Sequence, residues 1–212
     1  EPYRRQRQMC IRDRLHTYGE DVKTKARAYA AAGSDARMNG CSLPVIICSG
    51  SGNQGITASV PVIVYARELG IDQDRLYRAL LVSNLATIHQ KTGIGRLSAY
   101  CGAISAGCGS GAGIAYLMGD GYEVIAHTLV NSLAIVSGII CDGAKASCAA
   151  KISTAVDAGL MGYAMYKQGQ QFHAGDGIVA KGIEANITNI GLLAKEGMRE
   201  TDKEILTIMT GK

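Results

Sequence analysis

Residues 96–118, with the sequence RLSAYCGAISAGCGSGAGIAYLM, decide the fold of this chain. Glycine, alanine and serine dominate the stretch, and no charged residue follows Arg96 until Gly119 has passed. Residues this small allow neighbouring backbones to approach closely. The pattern therefore predicts a buried helix over residues 96–118, ended by Gly119.

Helical patterns continue on both sides of this stretch, separated by Gly-rich loops at residues 38–55 and 167–182. Two β-like runs, 43–47 and 60–64, are too short to predict strands. The fold class predicted is all-α, a compact Gly- and Ala-rich helical bundle. The other predicted helices are 21–37, 54–69 with Pro61 inside it, 72–90 closed by Gly93, 122–140, 144–166, 183–194, and 201–209 opened by a capping box of Thr201 and Glu204.

The composition describes a globular domain with few large rings in its core. The chain has 212 residues, of which 47% are hydrophobic and 19% charged, with 27 Gly, no Trp and one Phe. We predict a single helical domain over residues 15–212. Residues 1–14 match nothing in the style of the rest and are predicted to be a disordered or non-native arm.

The formal net charge of +4 does not indicate a nucleic-acid surface. Five arginines of the N-terminal arm carry that excess, and the balance of the remaining chain is about neutral. The apolar run 124–141 contains His127, Asn131 and Ser132, which favour a buried helix over a membrane span. We therefore expect no nucleic-acid partner and no membrane, while a homo-oligomer is compatible with the sequence.

Three of the seven cysteines, Cys101, Cys141 and Cys148, form the strongest candidate metal site. Without secretory signals, such cysteines indicate a reducing compartment, and we expect a cytoplasmic protein. The spacing is wider than the tight pairs of zinc sites, and three thiolates suffice for an open iron–sulfur cluster. Spacing alone leaves a second interpretation open, in which the three are small buried hydrophobic residues.

Three other cysteines also need an interpretation. Cys108 lies seven residues after Cys101 and would share its face of a helix, so it is the main alternative ligand. Cys41 and Cys48 repeat the six-residue spacing but lie in a loop, and we expect them to be free thiols.

A Gly-rich segment at residues 50–55, GSGNQG, precedes a predicted helix. Backbone N–H groups at such a helix N-terminus bind anions, and Ser51, Gly52, Asn53 and Gln54 are the candidate substrate-binding residues. A substrate α-carboxylate is the natural ligand, and an ordinary Gly turn is the alternative. The segment lacks the Gly-Lys-Ser/Thr of a P-loop and the spacing of a dinucleotide fingerprint.

His89 and Lys91 are the candidate catalytic residues, since both lie at a predicted helix end where they would contact substrate or transfer a proton. The alternative is electrostatic complementarity to the helix dipole. Asp142 and Lys145 are interpreted as partners that support the cysteine site, and Asp35 and Arg37 as a charged turn that shapes it.

Four motifs in order resemble the L-cysteine desulfidase family and, more distantly, the α domain of iron–sulfur L-serine dehydratases. They are CSGSGNQGITASVPV at 48–62, GRLSAYCGAISAGCGSGAGIAY at 95–116, VNSLAIVSGIICDGAKASCAAKI at 130–152, and GDGIVAKGIEANITNIG at 175–191 with EGMRETDKEI at 196–205. The resemblance covers nearly all of the chain from about residue 26.

The resemblance implies an enzyme that breaks L-cysteine down to pyruvate, ammonia and sulfide with a [4Fe–4S] cluster. It places the cluster ligands at Cys101, Cys141 and Cys148, and it implies a small amino-acid substrate. L-Serine is the rival substrate, and a non-catalytic iron–sulfur or redox module is a further alternative. Members of the family are about twice as long, so we expect a C-terminal half without the main catalytic base.

Overall fold

The computed structural model describes residues 11, 14–95 and 98–211, and within these ranges every regular element is a helix. The all-α prediction is therefore confirmed. The predicted arm at residues 1–14 falls largely outside the described residues. Residues 14–18 are helical. The helices that follow are α1 (Val22–Met38), α2 (Gly52–Glu68), α3 (Gln73–Ile94), α4 (Gly102–Leu117), α5 (Tyr122–Val136), α6 (Cys148–Lys167), α7 (Ile183–Leu192), a π-helix (Leu193–Gly197) and α8 (Arg199–Thr210).

Helix α4, built from the opening stretch, lies at the centre and packs against α2, α3, α5 and α6. Its glycines make these contacts close. A Cβ atom on Gly107 would lie 2.4 Å from the backbone of Ala155, and one on Gly111 would lie 2.6 Å from the carbonyl oxygen of Gly159. Because no side chain fits at such separations, α4 and α6 pack backbone against backbone.

The opposite face of α4 packs on α3 in the same way. A Cβ atom on Gly109 would lie 2.6 Å from the carbonyl oxygen of Ser83. The Ser83 hydroxyl donates a hydrogen bond to the carbonyl oxygen of Ala58 at 2.6 Å and so ties α3 to α2. Small residues thus assemble four helices around α4, as the composition predicts.

Helices α4, α5 and α6 are each shorter than predicted at the end that meets the others. The structure starts α4 at Gly102 instead of residue 96, ends α5 at Val136 instead of residue 140, and starts α6 at Cys148 instead of residue 144. An antiparallel bridge between Tyr100 and Ile140 holds these two residues out of helical geometry and so explains the start of α4 and the end of α5.

Two further helix ends differ from prediction. Helix α3 continues through Gly93 to Ile94. Gly93 lies at a helix contact, where a Cβ atom on it would come within 3.3 Å of the Cα atom of Gly191. Helix α8 already begins at Arg199, so Thr201 lies inside it and no capping box forms. Among the described helices, none combines the length and apolar character that crossing a membrane requires.

Candidate functional site

A cavity of about 250 Å³ lies where the N-termini of α2, α4 and α6 come together. Ser51 and Cys101 are the N-cap residues of α2 and α4, and neither helix start carries a side-chain cap. The first N–H groups of a helix have no partner within it, and the helix dipole gives this end a partial positive charge. The cavity therefore favours anions, including thiolates.

Cys101, Cys141 and Cys148 all line this cavity. The bridge between Tyr100 and Ile140 brings the first two together, and the N–H of Cys101 donates to the carbonyl oxygen of Ile139 at 3.2 Å. The thiol of Cys101 donates a hydrogen bond to Cys141, which raises the pKa of Cys101 and lowers that of Cys141.

Backbone N–H groups act on all three cysteine side chains. Those of Ala103 and Gly143 lower the thiol pKa of Cys101 and Cys141, respectively. The N–H of Lys145 lies 3.4 Å from the sulfur of Cys148. Hydrogen bonds to sulfur are a feature of iron–sulfur sites, where they tune the cluster.

The donor set of three thiols is of the kind that iron–sulfur clusters use. Within the described ranges, no three His, Cys, Asp or Glu side chains converge on a position where one ion would bind. A [4Fe–4S] cluster binds each thiolate at a different iron, so its ligands surround a volume instead of a point. Three thiols around one anion-favouring cavity match that requirement.

The rival cysteines lie elsewhere. Cys108 is fully buried in α4, where burial raises the pKa of its thiol to about 12, and it does not line the cavity. Cys41 and Cys48 do not line the cavity, and burial raises the pKa of Cys48. No disulfide forms among the described cysteines.

Residues 52–55 of the Gly-rich segment form the first turn of α2, and Gly50 and the N-cap residue Ser51 precede it. Asn53 and Gln54 are 8% and 7% exposed, and together with Ser51 they line the cavity. A Cβ atom on Gly55 would lie 1.8 Å from the carbonyl oxygen of Ile46, so only glycine lets the preceding loop cross here. Gly52 lies against the side chain of Arg37, which a Cβ atom at this position would meet.

The two predicted catalytic residues are placed differently. Lys91 is 6% exposed and lines the cavity; burial lowers the pKa of its ammonium group, while Cys141 and Cys101 oppose that shift. No carboxylate among the described residues forms an ion pair with it. His89 lies outside the cavity, where its Nε2 is 2.8 Å from Glu184 on α7.

Two residues that line the cavity, Lys151 and Tyr100, were not predicted as site residues from the sequence. Lys151 lies one helical turn after Cys148, a spacing that places both on one face of α6, and it pairs with Asp142. Asp142 thus forms its ion pair with Lys151 instead of Lys145, while the backbone N–H of Lys145 contacts the sulfur of Cys148. Tyr100 is 1% exposed, and its hydroxyl has no hydrogen-bond partner among the described residues.

Arg37 supports the site from a helix, not from the predicted turn. It lies in the last turn of α1, and its Nη1 donates to Oδ1 of Asn53 at 3.1 Å. Asp35 is buried in the same helix. The periodicity of α1 indicates this placement, because the alanine-rich pattern runs on through both residues.

The profile of the serine dehydratase alpha chain matches residues 3–207. A UPF0597 protein of Desulfitobacterium hafniense is 73% identical over 195 residues, which cover 92% of this chain and 45% of the relative. A UPF0597 protein of Lachnoclostridium phytofermentans is 57% identical, covering 92% of this chain and 47% of the relative.

A more distant relative, a UPF0597 protein of Bacteroides fragilis, is 42% identical over 92% of this chain and 45% of its own length. The chain thus spans less than half the length of these relatives. No solved structure matches it. Since the profile covers nearly the whole sequence, the chain belongs to the serine dehydratase alpha chain family.

Proposed function

We propose that this chain is the cluster-binding part of a β-eliminating lyase that converts L-cysteine and water to pyruvate, ammonia and sulfide. One observation carries the proposal. The thiols of Cys101, Cys141 and Cys148 share a cavity with the uncapped N-terminus of α2. Membership of a serine dehydratase family supports the reaction class, since both reactions remove a β substituent from an amino acid.

Cys101, Cys141 and Cys148 would hold a [4Fe–4S] cluster through their thiolates. When bound, such a cluster leaves one iron without a protein ligand, and that iron supplies a Lewis acid for the sulfur or hydroxyl of the substrate. The backbone N–H groups of Ala103, Gly143 and Lys145 would stabilise negative charge on the sulfurs of Cys101, Cys141 and Cys148, respectively.

The start of α2 would bind the substrate carboxylate. The N–H groups of Gly52 and Asn53 lie in the first helical turn, where they have no intrahelical partner. Lys91 faces the same cavity and is buried without a carboxylate partner among the described residues. A buried cation of this kind is stabilised by a bound anion, so we assign Lys91 as a substrate contact.

Removal of the Cα proton requires a base, and we assign none of the described cavity residues to that role. His89 pairs with Glu184 away from the cavity and is left out of the proposed machinery. The relatives are more than twice as long as the matched region, and we propose that the base belongs to their remaining part. Loss of the β substituent would leave an aminoacrylate, which water converts to pyruvate and ammonia.

L-Serine dehydration is the second candidate, and the name of the matching family favours it. The two activities are separated by assaying the reconstituted protein, alone and joined to the unmatched part of the Desulfitobacterium hafniense relative. We expect sulfide release from L-cysteine to exceed pyruvate release from L-serine. The reverse order would make the protein an L-serine dehydratase, and the absence of both products from the joined protein would contradict the lyase proposal.

A further inference from the structure

The segment that leads towards α2, residues 42–47 with the sequence SLPVII, belongs to no helix or strand. Three of its apolar side chains, those of Leu43, Ile46 and Ile47, are 61%, 76% and 69% exposed. Leu and Ile are among the residues most often buried, because exposure to water forfeits their hydrophobic stabilisation. Three of them exposed within one short segment indicate a surface that another stretch of protein covers.

The backbone of the same segment is unpaired as well. Among the described residues, no N–H or carbonyl group of residues 42–47 forms a hydrogen bond with another backbone group. Backbone pairing resumes on either side, at Cys41 and Cys48. Unpaired backbone groups are a template for an added strand, and residues 45–47 are three consecutive β-branched residues, which favour strands.

An apolar groove of about 160 Å³ lies beside the segment. Leu43 and Val45 line it, together with Ile56 and Val60 of α2. Leu43 and Val45 are two positions apart, the spacing at which side chains of an extended chain share one face. Recognition by strand addition uses these two features, since the backbone supplies affinity and a neighbouring side-chain pocket supplies specificity.

This surface is close to the candidate site. The chain continues from the segment into Ser51, which lines the cysteine cavity. Arg37 lines the groove, and its Nη1 donates a hydrogen bond to Asn53, which lines the cavity. A partner bound at residues 42–47 is therefore a neighbour of the cavity.

We propose that residues 42–47 dock, by strand addition, the part of the longer relatives that this chain does not match. The chain covers 45% of the Desulfitobacterium hafniense relative and 47% of the Lachnoclostridium phytofermentans relative, so more than half of each lies outside the matched region. Covalent attachment gives that part a high effective concentration at this surface, which favours it over a second copy of the chain. The inference rests on the proposed function, because the base assigned to that part has to reach the cavity, and it adds where the part binds.

Hydrogen–deuterium exchange followed by mass spectrometry tests the docking without any reaction. It compares the peptide that contains residues 42–47 in this chain alone and in this chain joined to the unmatched part of the Desulfitobacterium hafniense relative. We expect fast exchange in the chain alone and exchange slowed by about tenfold or more in the joined protein, because strand pairing protects backbone N–H groups. Equal exchange in the two proteins would overturn the proposal. Protection in the chain alone that grows with protein concentration would also overturn it, since the occupant would then be a second copy.

Matched double variants of the joined protein locate the contact. One carries Ile46→Lys and Ile47→Lys. The control carries Leu69→Lys and Met118→Lys, which replace exposed apolar residues at the C-terminal ends of α2 and α4, away from the cavity. Because all four side chains are exposed, the melting temperature of the chain alone should stay that of the wild type.

We expect the first double variant to lose the protection of residues 42–47 and the control to keep it. Retained protection in the first variant, or equal loss in both, contradicts docking at this segment. The outcomes also separate docking from the reaction. Protection in the joined protein without product from L-cysteine or L-serine supports the docking and contradicts the lyase proposal, whereas product formation with residues 42–47 unprotected supports the lyase proposal and overturns the docking.

Discussion

Lys91 shows how a single residue connects folding to function. Its side chain is 6% exposed on the cavity wall, and burial lowers the pKa of its ammonium group. Burying an unpaired cation costs free energy, which a folded protein retains only where the charge serves a purpose. The sequence indicated Lys91 by its place near a helix end, but the helix continues to Ile94.

The substitution Lys91→Met should therefore separate stability from binding. We expect the free energy of unfolding to rise by about 1 kcal/mol, because the desolvation cost disappears while the stem of the side chain is kept. L-Alanine, an amino acid without a β leaving group, should bind about tenfold more weakly, because a charge-assisted contact is lost. Chemical denaturation and calorimetry measure the two effects. Lys23→Met on the surface of α1 should leave both within error, and a destabilised Lys91→Met protein with normal binding would give Lys91 a structural role.

The sequence alone does not separate the candidate ligand Cys101 from its rival Cys108. Spacing left Cys108 as a rival to Cys101, because seven residues on a helix return to one face. The structure separates them: Cys101 caps α4 at the cavity, whereas Cys108 is fully buried inside the helix. A short bridge between Tyr100 and Ile140 causes this difference, and no local pattern predicts a pairing across forty residues.

At the scale of elements, the contact between α4 and α6 depends on glycine. The substitution Gly107→Ala would place a Cβ atom 2.4 Å from the backbone of Ala155, a separation that forces the two helices apart. We expect a loss of about 1–3 kcal/mol in the free energy of unfolding, the range for overpacked cores. Gly138→Ala is the control, since nothing lies within 4 Å of its Cβ position. Equal stability of the two variants would contradict backbone-to-backbone packing.

The start of α1 has a pH-dependent cap. Oδ1 of Asp21 accepts a hydrogen bond from the N–H of Thr24 at 2.6 Å, and this contact lowers the pKa of the carboxyl group below its usual 3.8. A lowered folded-state pKa stabilises the protein above the unfolded-state value, and the stabilisation is lost as pH falls through the folded-state value. Asp21→Ala should cost about 1 kcal/mol at neutral pH, as helix caps do.

The pH profile of unfolding checks this cap. The difference between wild type and Asp21→Ala should shrink as pH falls below 3.8. Glu204→Ala removes an exposed carboxylate from inside α8 and should show no comparable loss at neutral pH. A constant difference between wild type and Asp21→Ala across the acid range would mean that the cap does not act through the charged carboxylate.

Most elements were predictable because their signals are local. The Asp21 and Asp72 N-caps and the alanine-rich periodicity of α1 identify helices without tertiary information. The ends of α4, α5 and α6 were not, because tertiary pairing at Tyr100 and Ile140 overrides good helical sequence. The prediction that Gly93 ends a helix is wrong because of another tertiary contact. Gly191, against which Gly93 packs, lies about a hundred residues away in sequence.

For the whole molecule, the central position of α4 explains why one stretch decides the fold. Its small residues admit α2, α3, α5 and α6 on all sides, and that arrangement brings the starts of α2, α4 and α6 to one cavity. The sequence predicted the three cysteines and the Gly-rich segment of the candidate site. It did not predict that helix N-termini would surround them, because convergence is a property of the assembled bundle.

The proposed function depends most directly on the presence of an iron–sulfur cluster. Anaerobic reconstitution with iron and sulfide, followed by iron analysis and visible absorbance, should give about four irons per chain in wild type and in Cys108→Ala, with both signals lost in Cys141→Ala. Cys108 is the matched control because it is buried away from the cavity. Binding of about one zinc and no iron, or full cluster loading of Cys141→Ala, would contradict the account.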